Sequence, residues 1–135
     1  MKLTIKGFFP NVGDADTVRE WAENIAGDLK ECGINMNFAP VVDLNVNPQS
    51  PAIGKIGRSF SDSPEVVTEY SKIFIEEHRK KNILCVPKHF PGHGSAKEDT
   101  HKNLVDVTDT WSEIELKPYR NLIREDYCDI ITTAH

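Results

Sequence analysis

The stretch ILCVPKHFPGHGSAKEDTH, residues 83–101, is the segment from which the fold and the site are predicted. It begins with an apolar run, residues 83–87, that has the length and composition of a short strand. A lysine-histidine pair, a turn rich in proline and glycine, and an Asp-x-His triplet follow it. Loops on rigid scaffolds commonly carry functional residues. We therefore predict that this segment holds the functional site and that the rest of the chain supports it.

Length and composition predict one globular domain and exclude several classes of partner. The chain has 135 residues, 27% of them charged, and a net charge of -5. Its lysines and arginines are scattered, which gives no reason to expect nucleic acid or an anionic membrane as a partner. No apolar segment approaches the ~20 residues that span a bilayer. The opening MKLTIKG is also too short and too polar for a signal peptide.

The cysteines indicate a reducing compartment. Cys32, Cys85 and Cys128 are odd in number and far apart, and two of them lie in apolar segments. This pattern favours reduced thiols over a disulfide framework. We therefore expect a cytoplasmic location, or the cell envelope if an upstream signal has been removed.

Hydrophobic periodicity and local stop signals predict alternating helices and strands. In chain order these are a helix from Asp14 or Asp16 to about Cys32, a strand over 34–39, a long loop over 40–60, a helix from Ser63 to about Lys81, a strand over 83–87, an extended segment over 104–107, two short helical pieces of which the second covers about Lys117–Arg124, and a strand over 129–134. Thr110 and Glu113 have the spacing of a capping box for the first short helix. His78 falls on the polar face of its helix and is expected to be solvated.

This alternation favours an α/β fold with parallel strands and crossover helices. Polar residues follow each predicted strand, namely Asp43, then Lys88 with His89, then His135. Sites of α/β folds lie at the carboxyl ends of their strands. A complete barrel takes roughly 250 residues, so we predict about three strands of a partial (β/α)8 TIM-type barrel. Its open strand edges would favour a homo-oligomer.

Asp99 and His101 suit proton transfer. An aspartate two positions before a histidine on a turn can bind one ring nitrogen and hold the imidazole ready as a general acid/base. The alternative is a surface loop in which both side chains are solvated. Arg58 also has two possible interpretations, since it can anchor a ligand oxygen or pair with a nearby carboxylate.

A zinc site is the rival chemical hypothesis for this segment. His89, His93, Asp99 and His101 are all ligand types that zinc accepts. Their spacing matches no standard zinc signature and the loop contains no cysteine. We therefore predict neither a metal nor a cofactor, and expect His93, between two glycines, to shape the loop.

Several motifs together resemble a known family. KHFPGHG with Asp99-Thr100-His101, NFAPVVDLN at 37–45 and GRSF at 57–60 resemble the amino-terminal catalytic domain of glycoside hydrolase family 3, and most of all its β-N-acetylglucosaminidases. The similarity runs in the right order from about Phe9 to His135. It implies that residues 1–135 are a central fragment of that (β/α)8 domain.

The resemblance also implies roles for individual residues. His101 matches the general acid/base, and Asp99 matches the aspartate that pairs with it. Arg58, Lys88 and His89 match residues that hold the hydroxyls of a terminal N-acetylglucosamine. The implied reaction is retaining hydrolysis, in which a carboxylate attacks the anomeric carbon while the histidine protonates the departing oxygen.

The family's nucleophilic aspartate lies on a later strand, to which no residue here corresponds. We therefore expect the 135-residue chain alone to have negligible activity. The predicted substrate is a carbohydrate with terminal β-linked N-acetylglucosamine, from cell-wall or chitin-derived sugars, as in peptidoglycan recycling. The alternatives are a β-glucosidase or β-xylosidase of the same family, which lack the Asp-x-His loop, and a non-catalytic sugar-binding module.

Overall fold

Helices and strands alternate along the chain, as the computed structural model shows for residues 13–98 and 104–134. The elements are α1 Ala15–Glu31, β1 Met36–Asn37, α2 Pro64–Lys80, β2 Leu84–Cys85, β3 Lys88–Phe90, a 3₁₀ helix Glu113–Leu116, α3 Lys117–Arg124 and β4 Thr132–Thr133. The predicted loop over 40–60 has no helix or paired strand, although Val41 bridges to Lys88. Within the described ranges, no helix is long and apolar enough to cross a membrane.

The two long helices begin where the sequence predicts. Asp14 caps α1 by accepting a hydrogen bond from the Thr17 N–H at 2.8 Å, and Gly33 follows the helix with φ of 73°. Ser63 caps α2 by accepting from the Val66 N–H at 3.4 Å, with Pro64 in the first turn. Local capping chemistry therefore determines both starts.

The strands pair in parallel, as predicted. β1 pairs with β2, and β3 pairs with β4. The segment 84–90 lies in the middle, since Lys88 O accepts from the Val42 N–H at 2.8 Å and Pro87 O accepts from the Thr132 N–H at 3.0 Å. The paired strands are shorter than expected. The central segment, however, forms a second short strand, β3, which continues to Phe90. Lys88 and His89 therefore lie within a strand, rather than beyond it.

The core lies between the helices and these strands. Its buried side chains come from all three α-helices, from the loop after β1 and from β2, and include Val18, Ala22, Val42, Leu44, Val67, Phe74, Ile75, Cys85, Tyr119 and Leu122. Removing this apolar surface from water is the main stabilising contribution. The packing fixes the segments at 41–44 and 84–90 side by side, which places their carboxyl ends together.

His78 contradicts the prediction that it is solvated, because it is completely buried. Its Nδ1 donates to the Phe74 carbonyl oxygen at 2.8 Å, so its Nε2 accepts from Asn37 Nδ2 at 3.0 Å. Asn37 lies on β1, and its side-chain amide therefore gains a hydrogen-bond partner from α2. Burial lowers the pKa of His78, although the bond to Phe74 and the nearby Glu77 oppose the effect.

The predicted capping box at Thr110 and Glu113 is also wrong. The 3₁₀ helix begins at Glu113, after Ser112, whose side chain makes no capping hydrogen bond. Residues 104–107 form no strand, whereas the second short helix has the predicted bounds Lys117–Arg124. The acidic residue that matters in this segment is Glu115, which is buried.

Candidate functional site

A buried aspartate, Asp43, organises the polar groups at the carboxyl ends of the strands. It has no solvent exposure, and its Oδ2 accepts the Nδ1–H of His89 at 2.7 Å. Its Oδ1 accepts the backbone N–H groups of His93 at 2.8 Å and of His89 at 3.2 Å. One carboxylate therefore fixes both the His89 ring and the start of the loop that follows it.

The bond to Asp43 also determines what the other side of the His89 ring presents. In the neutral tautomer that carries its proton on Nδ1, Nε2 has a lone pair. The Arg58 guanidinium faces it, with Nη2 at a long 3.5 Å, while Nη1 donates to the Ala52 carbonyl oxygen at 3.1 Å. Arg58 forms no ion pair with a carboxylate in the described ranges. Its remaining donor capacity is thus available for a ligand oxygen.

Lys88 adds a second cation beside this pair. Burial lowers the pKa of Lys88, the Arg58 charge lowers it further, and the Asp43 charge partly offsets both effects. The side chain is half-buried, and its amine makes no hydrogen bond to a residue within 13–98 or 104–134. An amine held this way is suited to donate to a neutral polar ligand such as a sugar hydroxyl.

The loop after β3 is fixed by a second buried acid. The Glu115 carboxylate, with 1% of the residue exposed, accepts the N–H groups of Gly94 at 3.0 Å and Ser95 at 3.3 Å through Oε2. Burial raises the pKa of Glu115, and its bonds to Ser95 and Gly94 oppose that effect. The loop therefore begins as a rigidly held segment.

Three of the predicted site residues come together, since Arg58, Lys88 and His89 form one cluster. Asp99 and His101 lie outside the described residues, so their pairing stays a prediction. His93 is buried, and its backbone N–H binds Asp43. Among the described residues, no three His, Cys, Asp or Glu side chains are placed to share a metal ion.

Sequence reasoning missed the roles of the two buried acids. The sequence marks Asp43 only as a polar residue after a predicted strand. Glu115 carries a clearer signal, because it precedes Tyr119 and Leu122 by four and seven positions, and both of these are buried. An acid on that helical spacing belongs to the inner face of the segment.

Comparison with protein families gives one match that covers almost the whole chain. Residues 7–135 match the glycosyl hydrolase family 3 N terminal domain.

Similar curated proteins are named β-hexosaminidases. Beta-hexosaminidase A of Pseudoalteromonas piscicida is 36% identical over 98% of this chain and 22% of its own length. The Beta-hexosaminidase of Tolumonas auensis is 37% identical over 89% of this chain and 36% of its own length. The chain thus spans well under half the length of these relatives.

Solved structures of similar proteins agree with the described fold. A glycoside hydrolase family 3 β-N-acetylglucosaminidase from Paenibacillus sp. strain FPU-7 superposes with a TM-score of 0.79 at 36% identity, covering 91% of this chain and 23% of that one. A β-N-acetylhexosaminidase from Beutenbergia cavernae superposes with a TM-score of 0.81 at 28% identity, covering 95% of this chain and 41% of that one.

Proposed function

Because this chain belongs to the glycosyl hydrolase family 3 N-terminal domain family, we propose that it supplies part of the active site of a β-N-acetylhexosaminidase. The reaction would release terminal β-linked N-acetylglucosamine with retention of configuration. The observation that carries this proposal is the cluster of Arg58, Lys88 and His89, with His89 held by the buried Asp43. The names of the relatives support the choice of sugar.

The fold is proposed to be part of a (β/α)8 barrel. The parallel strands and the helices packed against them are the repeating unit of that architecture. The cluster lies at the carboxyl ends of the strands, which is where such barrels bind their substrates. Open edges on a partial barrel would be covered either by further strands or by another copy of the chain.

The cluster has the chemistry that a sugar needs. Hydroxyl groups both donate and accept hydrogen bonds, and the two cations supply donors while His89 Nε2 can accept. Asp43 keeps the ring from rotating, so substrate does not have to order it on binding. A pre-ordered site loses less entropy when it binds.

The proton transfer is assigned to His101, with Asp99 as the group that orients it. The histidine would protonate the departing oxygen and then deprotonate the attacking water. The nucleophilic carboxylate is not assigned to any residue of this chain, so it would come from elsewhere in the protein. We propose the cytoplasm as the location, on the basis of the cysteine pattern.

Release of a chromogenic aglycone from an aryl N-acetyl-β-glucosaminide tests the function. We expect negligible turnover by the 135-residue chain and clear turnover by the longer protein predicted to contain it. In that protein, His101→Ala should lower activity by about 10²–10⁴-fold, the usual contribution of general acid/base catalysis. Robust turnover by the isolated chain would contradict the proposal that the nucleophile lies outside these 135 residues. Equal activity of wild type and His101→Ala would contradict the assignment of the acid/base.

A further inference from the structure

Three successive backbone N–H groups in the loop after β3 are divided between two buried acids. The N–H of His93 is bound by Asp43, and those of Gly94 and Ser95 are bound by Glu115. Bonds from backbone N–H groups to a buried carboxylate are stronger than bonds between neutral groups. The loop is therefore held from two sides, by acids that reach it from separate parts of the chain.

The loop also has little room to move between its neighbours. A Cβ at Gly92, where φ is 122°, would lie 2.5 Å from the Cβ of Glu115. A Cβ at Gly94 would overlap the carbonyl oxygen of Leu44. The backbone is thus packed between the Glu115 side chain and the Leu44 main chain, a close approach that only glycine permits.

We propose that Glu115 is a positioning residue for the acid/base step, acting through the Gly94 and Ser95 N–H groups on the segment that leads to Asp99 and His101. This inference rests on the proposed function of those two residues. Asp43 holds the preceding amide and also orients His89, so Glu115 and Asp43 together set the loop relative to the sugar-binding cluster. Among the described residues, Glu115 makes no hydrogen bond to Arg58, Lys88 or His89, and its proposed effect is exerted through the loop.

The dependence on leaving group separates positioning from a general loss of folded protein. An aglycone that leaves poorly needs protonation, whereas 2,4-dinitrophenolate leaves without help. For this comparison kcat/KM is suitable, because it reports the transition state of the first chemical step relative to free enzyme and substrate. A misplaced acid lowers kcat/KM only for the poor leaving group, while partial unfolding lowers both alike.

The variants are made in the longer protein predicted to contain this chain, which also serves as the wild type. They are Glu115→Ala, Glu115→Gln and the control Glu113→Ala, which removes an exposed acid from the same 3₁₀ helix. For the phenyl glycoside we expect Glu115→Ala to lower kcat/KM by at least about 10-fold, part of the 10²–10⁴-fold that an acid/base contributes. For the 2,4-dinitrophenyl glycoside the change should stay within about 3-fold. Glu115→Gln keeps an acceptor oxygen and should recover most of the loss. Equal losses on both substrates, or no loss, would overturn the proposal.

Hydrogen–deuterium exchange of residues 92–96 tests the contact without any activity. Glu115→Ala should speed exchange there, relative to wild type and to Glu113→Ala. If the wild type cleaves neither glycoside, the proposed function fails, while exchange still shows whether Glu115 holds the loop. Unchanged exchange would overturn the inference by itself. Should Glu115→Ala not fold, Glu115→Asp withdraws the carboxylate by one methylene and is judged by the same two comparisons.

Discussion

Asp43 is a residue whose effect extends well beyond its own position. It is buried, and the hydrogen bonds from His89 and His93 compensate for its lost hydration. Replacing one oxygen of such an acid affects every group that it binds. The arrangement leads to a kinetic prediction.

Asp43→Asn should lower kcat/KM by about 10–100-fold in the active protein. In asparagine an NH2 group replaces one carboxylate oxygen, and where it replaces the oxygen that binds His89 it cannot accept the Nδ1–H. A hydrogen bond to a charged group contributes about 1.5–3 kcal/mol, which corresponds to this change in rate. Steady-state kinetics on an aryl N-acetyl-β-glucosaminide measures the effect. Asp62→Asn, at an exposed position, is the control and should leave kcat/KM unchanged. An equal response of the two variants would mean that Asp43 does not orient His89.

His78 should make the folded state less stable in mild acid. Because burial lowers its pKa, the unfolded chain binds the proton more readily than the folded protein. Stability is therefore fully present above the ordinary pKa of 6.5 and falls as pH drops below it, towards the lower pKa of the folded state. Urea unfolding at pH 7.5, 6.5 and about 5.5 measures this change.

The matched variant is His78→Gln, which has no titrating ring. All other histidines are shared by the two proteins, so their contributions cancel in the difference between the two free energies of unfolding. The advantage of wild type over His78→Gln should shrink as pH falls. A constant difference across this range would show that His78 titrates alike in both states.

At the scale of single elements, two glycines illustrate opposite constraints. Gly27 lies inside α1, and a Cβ there would meet nothing within 4 Å. Gly94 lies in the loop held by Glu115, where a Cβ would overlap the Leu44 carbonyl oxygen. The same substitution should therefore have opposite signs at the two positions.

Gly27→Ala should stabilise the protein by about 0.5–1 kcal/mol, because alanine loses less backbone entropy in a helix. Gly94→Ala should destabilise it by about 1–3 kcal/mol through overpacking against backbone. Urea unfolding of the two variants beside wild type provides the test, and each variant is the other's control. Destabilisation by Gly27→Ala, or tolerance of Gly94→Ala, would contradict the packing described for these sites.

The elements that the sequence predicts well are those with local signals. Helix ends depend on residues that are close in sequence, such as the capping side chains of Asp14 and Ser63 and the proline after Lys117. The burial of His78 could not be predicted that way, because its partner Asn37 is distant in sequence. The role of Asp43 could not be predicted for the same reason, since its three bonds join it to residues 46 or 50 positions away. The prediction of Arg58, Lys88 and His89 as site residues rests on motifs rather than on geometry.

At the scale of the whole molecule, the three free cysteines lie at different depths. Cys32 is exposed, Cys128 is half-buried, and Cys85 is buried in the core. Burial raises the pKa of Cys85 to about 12, with a small opposing effect of Arg79, and burial also raises the pKa of Cys128. Because the thiolate is the reactive form, these thiols should react with a disulfide reagent at widely different rates.

Titration with a chromogenic disulfide reagent at neutral pH should modify Cys32 first, Cys128 more slowly and Cys85 only after unfolding. Mass spectrometry of peptides at successive times assigns each thiol. Adding denaturant supplies the control, since all three should then react at similar rates. Rapid labelling of Cys85 in the native protein would contradict its place in the core.

The hydrogen bonds from Asp43 to both His89 and His93 limit how this loop can change in length. One carboxylate has to reach both positions, so the three residues between them have no freedom to become four or two. Insertions and deletions should therefore be rejected between 89 and 95, where Asp43 and Glu115 hold the backbone. A library of random indels, selected for retained function, would show this as a sharp boundary in the tolerated positions.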